Sequence, residues 1–122
     1  MTNILKGLRV LLVEDEPLLA MVTEEMLLEQ GADVLGPAAS VEAAVALADE
    51  GGIDLAILDV NLRGDRSDAA ADALAARHIP FLFTTGHGRE ALRARHRDKV
   101  CLVKPFTEAE LLAVVAALAA KR

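Results

Sequence analysis

The chain has no tryptophan, no tyrosine and only three phenylalanines in 122 residues. Its core is therefore aliphatic, drawn from its abundant Ala, Leu and Val. A single cysteine, Cys101, excludes a disulfide framework and a cysteine-based zinc site. Lying in an apolar run, it reads as a buried, inert thiol. Positive charge is in the minority, with 13 Lys and Arg against 19 Asp and Glu. The resulting net charge of −6 argues against nucleic acid as a direct partner. No apolar stretch reaches the roughly 18 residues of a membrane span, so no membrane association is expected. The opening MTNILKGLRVLLVEDE lacks a cleavage site and runs into acids, which is not the pattern of a signal peptide; a cytoplasmic protein is expected. The length suits one domain and not two, and an apolar content of 53% rules out a disordered chain. Neither a repeat nor a linker is visible.

What is present is an alternation. Five short apolar runs, Leu8–Val13, Asp33–Leu35, Leu55–Leu58, Ile79–Thr84 and Val100–Val103, read as strands. Five helical patterns alternate with them. The first opens at Pro17, where a missing N–H costs nothing, carries Leu19, Val22 and Met26 on one face, and stops at Gly31. The second runs from an N-cap at Ser40 to Asp49, ahead of Gly51-Gly52. The third is Ala-rich, from Asp65 to Arg77. The fourth is short and basic, from Arg89 to Arg97. The last begins at a Thr107/Glu110 capping box and buries Leu111, Val114, Val115 and Leu118. Uniformly apolar strands and strict alternation predict an α/β fold, a doubly wound parallel sheet with helices on both faces.

Chemistry collects at the strand ends. Strand one is followed by Glu14, Asp15 and Glu16, strand three by Asp59, strand four by Thr84, Thr85 and Gly86, and strand five by Lys104. Only strand two ends without a reactive group. With the sheet in the order 2-1-3-4-5, the four polar ends are neighbours, at the place where open α/β sheets bind ligands. Glu14, Asp15 and Asp59 brought together need more positive charge than Lys104 supplies, because two carboxylates about 4 Å apart repel by roughly 4 kcal/mol at an effective dielectric of 20. Hard oxygen ligands without His or Cys favour Mg2+ over zinc. Metal, ammonium and hydroxyl together suit a phosphoryl group, with Asp59 as a carboxylate nucleophile. Each residue alone has a plainer reading: acids at a helix N-terminus, turn chemistry at Asp59, a strand-end hydroxyl, a solvated lysine.

The segments VLLVEDEP at 10–17, LAILDVNLRG at 55–64, FTTG at 83–86 and VKPF at 103–106 resemble, in order and spacing, the receiver domain of bacterial two-component response regulators. The resemblance runs from Leu8 to about Leu118 and implies a flavodoxin-like (βα)5 fold. It implies Asp59 as phosphoacceptor, Mg2+ held by Glu14, Asp15, Asp59 and the backbone carbonyl of Asn61, Thr85 as switch hydroxyl, and Lys104 as the lysine that pairs with the phosphoryl group, often before a cis proline. It implies a sensor histidine kinase or a histidine phosphotransfer protein as donor, an unidentified downstream protein as target, and a monomer or a phosphorylation-dependent homodimer. One receiver domain over 1–122, with no output domain, is expected. The sequence departs from the family at Cys101, where most receivers carry the Tyr or Phe that turns inward on phosphorylation. PFLFTTGH at 80–87 is similar to the Pro-Phe-x-Phe-Ala-Thr-Gly-Tyr of a variant subgroup that also lacks that ring and often stands alone.

Two other functions compete. A non-phosphorylated adaptor of the same fold is opposed by the intact acid pair, Thr85 and Lys104; a phosphate sink or shuttle would keep them. An aspartyl-phosphate phosphatase is opposed by Asn61, which stands where such enzymes usually carry a second acid. No Gly-x-x-x-x-Gly-Lys or Gly-x-Gly-x-x-Gly pattern points to a nucleotide enzyme. Arg89, Arg93, Arg95 and Arg97 read either as a solvated face or as a docking patch for an acidic partner.

Overall fold

Leu55–Asp59 is buried at every position, which places it at the centre of a sheet covered on both faces. The computed structural model describes residues 3–121. In chain order the elements are β1 (Arg9–Val13), α1 (Pro17–Glu29), β2 (Asp33–Ala38), α2 (Val41–Glu50), β3 (Leu55–Asp59), β4 (Asn61–Leu62), β5 (Asp65–Arg66), α3 (Asp68–Ala76), β6 (Phe81–Thr85), β7 (Val100–Val103) and α4 (Glu108–Ala120). The main sheet is parallel and five-stranded, in the order β2-β1-β3-β6-β7. This is the expected 2-1-3-4-5, because β4 and β5 form a small antiparallel hairpin of their own.

Period-two alternation divides the strand side chains between two cores. Leu11, Val13, Leu58 and Phe83 pack with Ala44, Ala48, Ala71 and Leu74 of α2 and α3. Val10, Leu12, Leu55 and Ile57 pack with Met26 and Leu27 of α1 and with Leu111 and Val115 of α4. The expected caps form: the Ser40 hydroxyl accepts from Ala43 N–H at 3.1 Å, and Thr107 and Glu110 exchange bonds of 2.7 and 3.1 Å. Leu58 is fully buried immediately before Asp59. Leu58→Ala is expected to cost about 2–5 kcal/mol of stability, measured by urea unfolding.

Four expectations need correction. Val22 is exposed, and α1 buries Ala20, Thr23, Met26 and Leu27 instead of a Leu19, Val22 and Met26 face. β2 continues through Gly36 to Ala38. Gly36, at φ 97°, permits this: a Cβ there would sit 2.6 Å from the Leu12 carbonyl oxygen. The third helix begins at Asp68, not Asp65, because residues 61–66 turn back as the hairpin. The basic stretch 89–97 is not an α-helix but two 3-10 turns, Arg89–Ala91 and Ala94–His96. Helices thus cover both faces, α2 and α3 on one, α1 and α4 on the other, with the 3-10 turns in place of the expected fourth helix.

Candidate functional site

The parallel register delivers the predicted residues to one end of the sheet. Asp59 ends β3 level with Thr84 on β6. Glu14 follows β1, and its N–H is bonded to the Ala38 carbonyl at 2.9 Å. Lys104 follows β7 and donates its own N–H to the Thr85 carbonyl at 2.7 Å; its peptide bond to Pro105 is cis. From there its ammonium lies 2.8 Å from Asp59 Oδ2 and 3.1 Å from Glu14 Oε1. The lysine points inward, between two carboxylates whose residues are only 5% and 6% exposed. One carboxylate oxygen from each of Glu14, Asp15 and Asp59 falls within a 4.8 Å span. Hard anionic oxygens gathered that closely suit Mg2+.

Backbone groups hold these acids in place. Glu16 N–H donates to Glu14 Oε2 at 3.1 Å, and Asn61 N–H to Asp59 Oδ1 at 3.3 Å. Arg63 N–H, at the hairpin turn, donates to Asp15 Oδ2 at 2.8 Å. The Ser67 hydroxyl, buried, donates to the Asp59 carbonyl. A cleft of about 320 Å3 opens beside Glu14 and Asp15, with Pro17, Glu24 and Arg63 on its walls. A larger and mostly apolar cleft of about 490 Å3, lined by Leu18, Val22, Lys104 and Phe106 among others, adjoins the lysine.

Burial first, and the Asp59 charge second, push the Glu14 carboxyl up from 4.5 to about 7. Burial pulls the Lys104 ammonium down, but its hydrogen bond to Asp59 and the charges of Asp59 and Glu14 more than offset this, so its pKa is raised. The folded protein therefore keeps a proton on Glu14 over the window in which the unfolded chain loses it. This group's contribution to stability is full below 4.5 and is lost as pH rises to about 7. A divalent cation must displace the same proton. Apparent Mg2+ affinity is accordingly expected to fall about tenfold per pH unit below 7 and to level off above it. With no Trp or Tyr to report binding, calorimetry is the suitable measurement.

Thr85 is buried at the end of β6, and its hydroxyl oxygen accepts from His87 N–H at 3.1 Å. Its own proton remains available to donate. Asn61 meets Asp59 through its N–H. Cys101, level with Phe83 on β7, is half-buried rather than fully enclosed, and burial pushes its thiol pKa up. The arginines read as a docking patch are engaged within the chain. Arg89 donates to the Arg97 and Lys99 carbonyls, Arg93 lies 3.5 Å from Asp68, Arg95 is bidentate with Asp72, and Arg97 donates to the Leu92 carbonyl. Sequence reasoning missed Ser67 and His96. His96 is 4% exposed, 2.9 Å from Asp72 and packed edge-on to Phe81. A lone histidine among arginines gives no periodic signal of burial.

Residues 10–116 match the profile of the response regulator receiver domain. The chain belongs to that family. Transcriptional regulatory protein PdtaR of Mycobacterium tuberculosis is 38% identical to this receiver over 111 residues, 88% of the chain and 54% of PdtaR. The receiver thus spans about half the length of the curated relatives it matches. The solution structure of SdrG from Sphingomonas melonis Fr1 is similar across 97% of this chain and 98% of that one, with 45% identity and a TM-score of 0.80. A BeF3-activated conformation of SdrG from Pseudomonas melonis Fr1 matches 90% of this chain and 95% of that one, at 44% identity and a TM-score of 0.68. The receiver domain of the sensor histidine kinase PA1611 from Pseudomonas aeruginosa, with magnesium in its active-site cleft, is 28% identical, with a TM-score of 0.77 over 93% of this chain and 98% of that one. Receivers are signalling domains, not turnover enzymes. No described helix of this one is long and apolar enough to cross a membrane.

Proposed function

We propose that this receiver takes a phosphoryl group onto Asp59 from the phosphohistidine of a sensor kinase or a histidine phosphotransfer protein, with Mg2+, and signals through protein–protein contacts. The observation that carries the reading is the ion pair of Lys104 with Asp59 and Glu14, beside a third carboxylate at the strand ends. A buried nucleophilic carboxylate with a fixed cation beside it suits transfer, which depends on positioning and charge neutralisation. An Asp59 carboxylate oxygen forms the new P–O bond as the P–N bond of the donor imidazole breaks, and the imidazole nitrogen keeps the electron pair. Glu14, Asp15, Asp59 and the Asn61 carbonyl would hold Mg2+, which supplies charge neutralisation for the phosphoryl oxygens. Lys104 is placed to exchange its contact with Asp59 for one with a phosphoryl oxygen, and the free Thr85 proton is available to a second. BeF3 mimics a phosphoryl group on a carboxylate, so the activated form of SdrG supports the same chemistry here. The single-domain organisation, the site assignments and a monomer or phosphorylation-dependent homodimer belong to this proposal. Incubation with acetyl phosphate and Mg2+ tests it: one Mg2+-dependent, hydroxylamine-sensitive phosphoryl group is expected, and none in EDTA.

A further inference from the structure

Residues 89–97 read Arg-Glu-Ala-Leu-Arg-Ala-Arg-His-Arg, with no glycine, no proline and no β-branched side chain. Most of these rank high in intrinsic helix propensity. The stretch nevertheless forms two 3-10 turns separated by extended backbone at Leu92 and Arg93, with ψ 145° and 152°. An α-helix would need the Ala91 and Leu92 carbonyls to accept from the N–H groups four residues on, those of Arg95 and His96. Guanidinium groups occupy both. Arg66 Nη2 donates to the Ala91 carbonyl at 2.9 Å, and Arg97 Nε to the Leu92 carbonyl at 3.1 Å. The His96 N–H turns instead to the Arg93 carbonyl, at 2.8 Å.

Two acids on one face of α3 complete the hold. Asp68 pairs with Arg66 at 2.6 Å and with Arg93 at 3.5 Å. Asp72 takes both bonds of Arg95 at 2.9 Å and lies 2.9 Å from His96 Nε2. Arg66 also connects this segment to the strand-end site. It stands in the hairpin that Asn61 N–H, Arg63 N–H and the Ser67 hydroxyl tie to Asp59 and Asp15. The Asp59 carboxylate itself is reached by the Asn61 N–H at 3.3 Å, which gives the carboxylate a direct bond to the hairpin that carries the Arg66 guanidinium.

We propose that residues 89–97 are a two-state switch. A helix-forming stretch is held in 3-10 turns by Arg66 and Arg97 on consecutive carbonyls and by Asp68 and Asp72, and loading of Asp59 releases it to an α-helix through the hairpin. The coupling half rests on the reading of Asp59 as phosphoacceptor. In a helix Arg89, Arg93 and Arg97 would stand at i, i+4 and i+8, where like charges repel. That repulsion opposes the propensity and keeps the two states close enough for one hydrogen-bond network to choose between them. The device supplies a readout that needs no aromatic side chain at Cys101.

The test is NMR of the isotopically labelled full chain, following Cα chemical shifts across residues 89–97. Arg66→Ala and Asp72→Asn are each expected to replace the turn pattern with continuous helical shifts without any phosphoryl mimic. Arg66 is 31% exposed, so its loss leaves the cores intact. The parent protein is expected to make the same change with Mg2+ and BeF3. Persistence of the turn pattern in both variants overturns the latch. Helical shifts in the variants but not in the parent, with bound BeF3 confirmed by fluorine NMR, overturn the coupling. Failure of BeF3 to bind and of acetyl phosphate to label the parent is the failure of the phosphoacceptor reading, and the variants then still judge the latch.

Discussion

Asp59→Asn is expected to abolish phosphoryl uptake from acetyl phosphate while leaving the protein folded. A carboxamide has no anionic oxygen to form the P–O bond, so the loss is complete rather than graded. The side chain keeps its shape, and its carbonyl oxygen still accepts from Lys104, which in the parent lies 2.8 Å from Asp59 Oδ2. Removing the Asp59 charge also relieves Glu14, whose pKa it raises second only to burial. Thermal stability at neutral pH is therefore expected to match or exceed that of the parent. Intact-mass measurement after incubation reads the uptake, and calorimetric melting reads the fold. Uptake equal to the parent's would move the phosphoacceptor elsewhere.

Lys104→Ala is expected to act in opposite directions on the two ligands. Phosphoryl uptake should fall by about 10²–10³, the usual cost of removing one preorganised cationic or hydrogen-bonding group from a developing charge. Mg2+ binding should tighten by about tenfold or more, because the ammonium that now neutralises Glu14 and Asp59 no longer opposes a cation. A structural role alone would weaken both. Titration calorimetry with Mg2+ and initial rates of labelling separate the two effects.

The parts of this molecule that could be read from its sequence are those where pattern and environment agree. Val10–Val13 and Leu55–Leu58 are apolar throughout because helices cover the sheet on both faces, and each run is followed by a buried acid, Glu14 or Asp59, at the strand end where chemistry begins. That Glu14, Asp15, Asp59, Thr85 and Lys104 lie at one end of the sheet was legible because strand order brings strand ends together. The hairpin at 61–66 was not, since two-residue strands carry no periodicity. Nor was the true state of 89–97. Its local propensity is helical, and what overrides it is a guanidinium contributed by Arg66, 25 residues away from Ala91. His96 was missed for a related reason: its burial depends on Phe81 and Phe83, which reach it through the fold and not along the chain.

The central claim is that Glu14, Asp15, Asp59 and Lys104 form one pocket for a divalent cation and a transferred phosphoryl group. Peptide mass spectrometry of the full chain after exposure to acetyl phosphate, with and without Mg2+, tests it most directly. A single phosphoryl group on the peptide containing Asp59, present with Mg2+ and absent with EDTA, is the predicted result. Labelling at another residue, or the same labelling without a divalent cation, would contradict it.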